Sequence, residues 1–278
     1  MMATIYLRPW LLVLALAAAS SPPCVYGQIT GNGAAPLYTA QGVVNAATQT
    51  GGALAPNTIA TLYGTNLAFD TRAVASTDVV RGLMPTSLDG VGVWVNSIPC
   101  SLFFVSPTQI NFLVPYQLTA GTVSLVVARD SQAGPTVSIQ LNSTSPGLFL
   151  WNGNNAVAGH LNGVALSDTS PAVPGEIVVI YAAGLGRTSP DTTSGQLATS
   201  AFPIYYLSQL QVLLNGVACP RANVLYAGLA PGFAGLYQIN LRLPDDVAAD
   251  PQIQVSVGPQ ISPGFIQLAV QPAQTVSQ

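Results

Sequence analysis

Two stretches of this chain follow one pattern and lie about 118 residues apart. The first is Pro56–Leu67, PNTIATLYGTNL, and the second is Pro174–Leu185, PGEIVVIYAAGL. A second motif recurs with them, because Gln109-Ile110-Asn111 is matched by Gln238-Ile239-Asn240. Solenoid repeats have periods of roughly 20 to 50 residues, so this repeat is too long for a solenoid. The sequence therefore predicts one structural unit built twice in tandem.

Short apolar segments recur in each copy at intervals of roughly ten residues, a spacing typical of β-sandwiches. Ile59–Tyr63 and Val91–Asn96 show the alternation of a half-buried strand, and Ile177–Tyr181 and Gln211–Asn215 match them in the second copy. Glycine and proline interrupt the apolar segments, which favours strands over long helices. The predicted fold is all-β, with two tandem immunoglobulin-like β-sandwich domains.

The first 27 residues have the pattern of a secretory signal peptide. Arg8 supplies the positive charge, Trp10–Ala19 is apolar, and small residues precede Gln28. About ten apolar residues are too few to span a bilayer, which needs roughly 20. Cys24 follows serine and prolines, a poor context for lipidation. We therefore expect a secreted, periplasmic or cell-surface protein with no transmembrane anchor after signal cleavage.

The repeat also places the domain boundaries. The join lies near Ser145-Pro146-Gly147, and the Asn-Gly pairs that follow, at 152–153 and 162–163, are hairpin signals. We expect a signal peptide at 1–27, a first domain at 28–147 and a second at 148–278. The second copy carries an extra loop, Ala227–Gly235.

Charged residues make up only 6% of the chain, against about 25% in an average soluble protein. There are seven arginines and no lysine, and the net charge is −3. Binding to nucleic acid depends on a basic patch that neutralises phosphates. We therefore expect no nucleic-acid partner.

Few residues of the sequence are suited to catalysis or metal binding. His160 is the single histidine, Glu176 is the single glutamate, and no G-x-S-x-G motif is present. The densest acidic cluster is Asp245, Asp246 and Asp250, and its spacing is not that of an EF-hand. We predict no catalytic, cofactor-binding or metal-binding residue and no cofactor.

Cys100 and Cys219 occupy equivalent positions in the two copies. A disulfide persists in an oxidising compartment, and a near two-fold relation between tandem domains would bring equivalent positions together. The sequence leaves two alternatives open: a Cys100–Cys219 disulfide, or two buried thiols that pack as small apolar side chains.

Aromatic residues of the second copy are the candidates for contact with a partner. Phe202, Tyr205 and Tyr206 lie in a predicted loop or edge strand, and Phe233 lies in the extra loop. Exposed aromatic side chains on such loops serve carbohydrate or protein recognition. The alternative is that they fill the ends of the sandwich or the interface between domains.

Several motifs are shared with a family of exported bacterial proteins. They are Val43–Ala47, Ala55–Leu67, Val105–Pro115, Ser145–Phe149 and Tyr226–Asn240. The sequence resembles the uncharacterised C-terminal domain family of soil acidobacteria, of the Solibacter type. A proline, a strand and then Gly-x-Asn-Leu also make it similar to IPT/TIG-type immunoglobulin-like domains. The resemblance implies the fold and export, and it implies no catalytic residue.

The predicted function is that of a non-enzymatic exported β-sandwich protein, a binding or structural module. Its expected partner is an unknown protein or polysaccharide at the cell surface. The alternative is an accessory module of an extracellular carbohydrate-active hydrolase, or the hydrolase itself. Convergence of His160, Asp168, Asp245 and Asp246 in one cleft would favour the hydrolase.

Overall fold

The computed structural model of the protein describes residues 33–272, so the predicted signal peptide lies outside the described residues. Within that range the chain consists of β-strands and three 3-10 helical turns, Ser76–Asp78, Leu207–Gln209 and Arg221–Asn223. No helix among residues 33–272 is both long and apolar enough to cross a membrane. The predicted all-β class is confirmed.

The N-terminal half contains two antiparallel sheets. Its strands are β1 (Leu37–Asn45), β2 (Ile59–Thr65), β3 (Arg72–Ala73), β4 (Val91–Val95), β5 (Ile98–Pro99), β6 (Ser101–Val105), β7 (Gln109–Leu113), β8 (Gly121–Arg129), β9 (Gln132–Ala133) and β10 (Val137–Leu141). One sheet has the order β1-β2-β7-β6-β3. The other has the order β10-β8-β4-β5, with β9 beside β8.

The C-terminal half repeats this arrangement with a small additional hairpin. Its strands are β11 (Gly147–Leu148), β12 (Leu150–Trp151), β13 (Asn155–Ala156), β14 (Ala158–His160), β15 (Ile177–Ala183), β16 (Leu210–Leu214), β17 (Val217–Ala218), β18 (Val224–Leu229), β19 (Tyr237–Arg242), β20 (Ile253–Val257) and β21 (Gln260–Ile261). One sheet has the order β11-β15-β19-β18, with β14 beside β15. The other has the order β17-β16-β20-β21, and β12 pairs with β13.

The sequence repeat corresponds to a repeat of strand pairing. β2 pairs with β7 as β15 pairs with β19, and β4 pairs with β8 as β16 pairs with β20. The Gln-Ile-Asn motif makes the same contact in both halves. Gln109 Nε2 donates to Asn111 Oδ1 at 2.9 Å, and Gln238 Nε2 donates to Asn240 Oδ1 at 2.8 Å. The boundary between residues 147 and 148 stays a prediction.

Each half buries the facing sides of its two sheets, as the strand alternation predicts. Four fully buried side chains of the first core are Leu62, Ile110, Val93 and Val127. Their counterparts in the second core are Ile180, Ile239, Val212 and Val255. Burying one such side chain contributes about 1.5–3 kcal/mol, so the two cores are the main source of stability.

A third apolar cluster joins the two halves. Ile59 of β2 and Leu113 of β7 point away from the first core and pack with Val179 and Tyr181 of β15. Nearby, the backbone N–H of Ser145 donates to the carbonyl oxygen of Gly184 at 2.7 Å. The halves therefore share a buried contact of their own.

The alternation of Phe265–Val270 predicts a last strand that the structure does not contain. Gln267 forms isolated bridges to Asn155 and Gln252, but Phe265 has a φ of 62°. The positive φ excludes Phe265 from an extended strand, and the bridges of Gln267 and Val270 are isolated, so no continuous strand forms. The apolar alternation instead reflects packing, because Ile266 and Leu268 belong to the second core.

Candidate functional site

The disulfide that the sequence left open is not formed. Cys100 and Cys219 are both free thiols. Cys100 is buried in the first core, whereas Cys219 is half-buried against the second core. Equivalent positions do not meet here because each thiol lies within its own half. The other alternative, buried thiols that pack as apolar side chains, describes Cys100 fully and half-buried Cys219 in part.

Burial raises the pKa of both thiols, and the rise is large for Cys100. Because the thiolate is the reactive form, we expect Cys100 to resist alkylation by iodoacetamide at pH 8 while the protein is folded. Half-buried Cys219 should react slowly, and both should react fully after denaturation. Mass spectrometry of the alkylated peptides measures each site. Rapid labelling of native Cys100 would contradict the buried position.

His160 has two polar partners that its local sequence does not reveal. Its Nδ1 lies 2.5 Å from Oε1 of Glu176, which precedes β15. Its Nε2 lies 3.1 Å from Oγ of Ser170 and 3.2 Å from the carbonyl oxygen of the same residue. Serine hydrolysis uses a serine, a histidine and an acid in this order, so the cluster is a candidate for catalysis.

The hydrogen-bond partners of His160 indicate a structural clamp instead. Nδ1 of His160 faces the Glu176 carboxylate, and Nε2 faces both the hydroxyl and the carbonyl oxygen of Ser170, so the ring ties three polar groups together. The backbone N–H of Ser170 donates to the carbonyl oxygen of Ser167 at 3.0 Å, so it is not free to stabilise an oxyanion. The next residue is Pro171, which has no N–H to stabilise an oxyanion. The cluster ties the turn before Pro171 to β14 and β15.

The acidic residues weighed for a hydrolase lie in exposed turns. Asp245 approaches the clamp, since a Cβ on Gly175 would lie 2.6 Å from its Oδ1. Asp168 and Asp246 are exposed, and Asp250 Oδ1 accepts the backbone N–H of Val270 at 3.1 Å. Among residues 33–272, no three His, Cys, Asp or Glu side chains are placed to hold a metal ion.

The four predicted contact residues have different surroundings. Phe202 and Tyr206 pack against the second core, and Phe233 packs against the cluster between the halves. Tyr205 is 64% exposed, and its ring meets Tyr206 edge-on with the centroids 5.0 Å apart. Tyr205 therefore offers the largest free aromatic surface of the four. Their role in binding stays a prediction.

A different set of side chains, four amides and one tryptophan, lies on the outer surface of the C-terminal half. Trp151 pairs with Asn155 in the β12–β13 hairpin, and Gln267 bridges Asn155 on one side and Gln252 on the other. The backbone N–H of Asn215 donates to the carbonyl oxygen of Gln252 at 2.8 Å. These five residues lie side by side on neighbouring segments, and we call them the amide row.

The side chains of the amide row point away from the core because their chain neighbours fill it. Ala156, Ile253, Ile266 and Leu268 are all part of the second core. Alternation along an extended chain turns Asn155, Gln252 and Gln267 outward, whereas Asn215, with a φ of 49°, lies in the turn after β16. Trp151 is 46% exposed, and Gln252, Gln267 and Asn215 are exposed as well. The row therefore forms a solvent-facing surface.

Phe265 lies two residues before Gln267 and is 77% exposed. Its φ of 62° is unusual for a bulky side chain, and such strain costs about 1–3 kcal/mol. Strained positions cluster at binding sites, where the surrounding structure maintains them. The amide row and Phe265 together carry two exposed aromatic rings, four amides and no ionisable group.

Comparison with known proteins supports the fold. Residues 43–145 match the family model described as IPT/TIG domain. No curated protein matches the chain. SGBP-B of the Bacteroides ovatus mixed-linkage glucan utilization locus, solved with a mixed-linkage heptasaccharide, is similar over 79% of this chain and 42% of its own, with 10% identity and a TM-score of 0.32. The chain thus spans less than half of that protein.

The tandem Ig repeats of Drosophila Dlar are similar over 86% of this chain and 95% of their own, with 12% identity and a TM-score of 0.18. Likeness at this level carries no argument about function. The strand pairing and the family model agree with each other. The protein is therefore all-β and immunoglobulin-like, and its residues 43–145 match the IPT/TIG domain.

Proposed function

We propose that the protein is a non-enzymatic, exported module that binds a neutral polysaccharide through the amide row and Phe265. The observation that carries this proposal is the row itself, in which Trp151 and four exposed or half-buried amide residues stand side by side. Export and membership of the acidobacterial family belong to the same proposal. They rest on residues 1–27 and on the sequence motifs given above.

The chemistry of the surface suits sugars. Asn155, Gln252 and Gln267 have both donors and acceptors, which match hydroxyl groups that also donate and accept. Asn215 offers its donors, because its Oδ1 accepts the backbone N–H of Gln252 at 2.9 Å. An aromatic ring gives a flat apolar area for the C–H face of a sugar ring. Because the six side chains carry no charge, the ligand they fit is neutral.

The dimensions of the surface suit a polymer more than a single sugar. Neighbouring strands lie about 4.8 Å apart, so five side chains abreast extend over about 19 Å. That length accommodates several sugars laid across the strands. A chain in this position would contact one amide after another and stack a sugar on Trp151.

A protein partner fits this surface less well. The centres of protein interfaces are enriched in apolar and aromatic side chains, whereas the centre of the amide row is formed by Gln267 and its amide neighbours. The hydrolase alternative has the geometry of His160, Ser170 and Glu176 in its favour. The engaged backbone N–H of Ser170, and Pro171 after the serine, speak against it, because neither residue has a free N–H for an oxyanion.

Affinity electrophoresis tests the proposal. The exported protein should be retarded in native gels that contain at least one soluble neutral polysaccharide, such as a β-glucan, a mannan or a xyloglucan. It should migrate normally in gels with anionic polymers such as alginate. The same incubations should release no reducing sugar. Retardation by charged polymers alone would contradict the proposal, and released sugar would support the hydrolase.

A further inference from the structure

An apolar cavity of about 300 Å³ lies where the two halves meet. Val74, Val79 and Phe103 of the N-terminal half form one wall. Leu197, Phe233 and Leu236 of the C-terminal half form the opposite wall. We call this space the junction cavity. It adjoins the cluster that joins the halves, since all six residues belong to that cluster or pack against it.

The lining of the junction cavity is almost entirely apolar. Its polar side chains are Ser76 and Asn111. Asn111 is held in place, because its Oδ1 accepts hydrogen bonds from Thr61 Oγ1 at 3.1 Å and Gln109 Nε2 at 2.9 Å. A molecule in the cavity would therefore meet hydrocarbon on most sides and one fixed amide.

The junction cavity reaches the protein surface. Ala73, Ala75 and Ser76 line it and are themselves exposed, so they form a rim open to solvent. Gly232 is exposed on the side of the C-terminal half. A small molecule has a path to the cavity that requires no unfolding of either core.

Ligand pockets in proteins are mostly apolar clefts of roughly 300–1,000 Å³ with a few polar groups. The junction cavity has this character and lies at the lower end of that range. A water molecule in a cavity with few polar partners forms few hydrogen bonds, whereas an apolar cavity of about 150 Å³ binds benzene. The junction cavity has about twice that volume, which corresponds to a ligand of about ten carbon atoms.

We propose that the junction cavity is a binding site for one small, uncharged, apolar molecule, of the size of two fused aromatic rings. Phe233, predicted as a surface contact residue, then acts as a wall of this site. The inference does not rest on the proposed function, because the amide row shares no residue with the cavity lining. Since both halves contact the ligand, binding also stabilises the folded chain by mass action.

Fluorescence titration with 1-naphthol, which has ten carbon atoms and one hydroxyl group, tests the site in the full exported chain. We expect saturable binding of one molecule per chain and a higher melting temperature in its presence. Val79→Trp places a large ring in the cavity and should weaken binding at least tenfold. Val80→Trp is the matched control, because Val80 is the next residue, is 64% exposed and does not line the cavity.

Three results would overturn the inference. They are an absence of saturable binding to the wild type, equal binding by Val79→Trp and the wild type, and loss of binding in Trp151→Ala. The last result would place the probe on the amide row. Val74→Trp fills the cavity from another position and replaces Val79→Trp if that variant fails to fold. Circular dichroism and the melting temperature without ligand verify folding of each variant.

Discussion

Replacement of Trp151 by alanine is expected to weaken binding to the neutral polysaccharide about thirtyfold or more. Tryptophan is enriched among the residues that dominate binding contacts, which contribute about 2 kcal/mol or more, and 1.4 kcal/mol corresponds to a factor of about ten. Trp151 is 46% exposed and lies in a hairpin outside the core, so the fold should tolerate the change. Isothermal titration with an oligosaccharide of the retained polymer measures the loss.

Two further variants distinguish the amide row from a general effect of aromatic residues. Tyr205→Ala removes a ring that is 64% exposed but lies outside the row, and it should bind like the wild type. Phe265→Gly should lose affinity without a fall in melting temperature, because glycine relieves the positive φ. Normal binding by Trp151→Ala would exclude the amide row as the site.

Gly184→Asn is expected to destabilise the protein by about 3 kcal/mol, the upper range for an overpacked buried position. Gly184 has a φ of 74°, which asparagine tolerates, so the backbone conformation alone is not the obstacle. The obstacle is space, because a Cβ on Gly184 would overlap the carbonyl oxygen of Ser145. The backbone hydrogen bond from Ser145 to Gly184 holds these two segments together.

The tandem repeat supplies the control for Gly184→Asn. Asn66 is the equivalent residue in the N-terminal half and has a φ of 56°. Asn66→Gly should change the free energy of unfolding by less than about 1 kcal/mol. Thermal unfolding followed by circular dichroism compares the two variants, and 3 kcal/mol corresponds to a fall of about 6–12 °C in a chain of this size. Similar melting temperatures would contradict the steric argument.

Local pattern was sufficient to predict much of the fold. The period-two segments around Ile59 and Ile177 are strands at the predicted places, and both Gln-Ile-Asn motifs lie on equivalent strands. The Asn152-Gly153 pair lies in the three-residue turn of the β12–β13 hairpin, at 152–154. These features depend on residues that are close in sequence, and alternation and turn chemistry report on such neighbours directly.

The sites depend on residues that are distant in sequence, and for that reason the pattern did not reveal them. The amide row draws its members from four separate segments, and its residues have no motif in common. The partners of His160 lie 10 and 16 residues away along the chain. The sequence left the Cys100–Cys219 pairing open, because equivalence in a repeat does not fix which faces of the two halves meet.

The uncharged character of the amide row sets the conditions under which it can hold a ligand. Dissolved ions screen interactions between charges, and changes of pH act on groups that gain or lose protons. The side chains of tryptophan, phenylalanine, asparagine and glutamine carry no charge and do not gain or lose protons over the pH range in which the protein is folded. The affinity of Trp151, Phe265 and their amide neighbours for a ligand is therefore expected to be the same at low and at high ionic strength. It should also be the same at acidic and at alkaline pH, for as long as the protein stays folded.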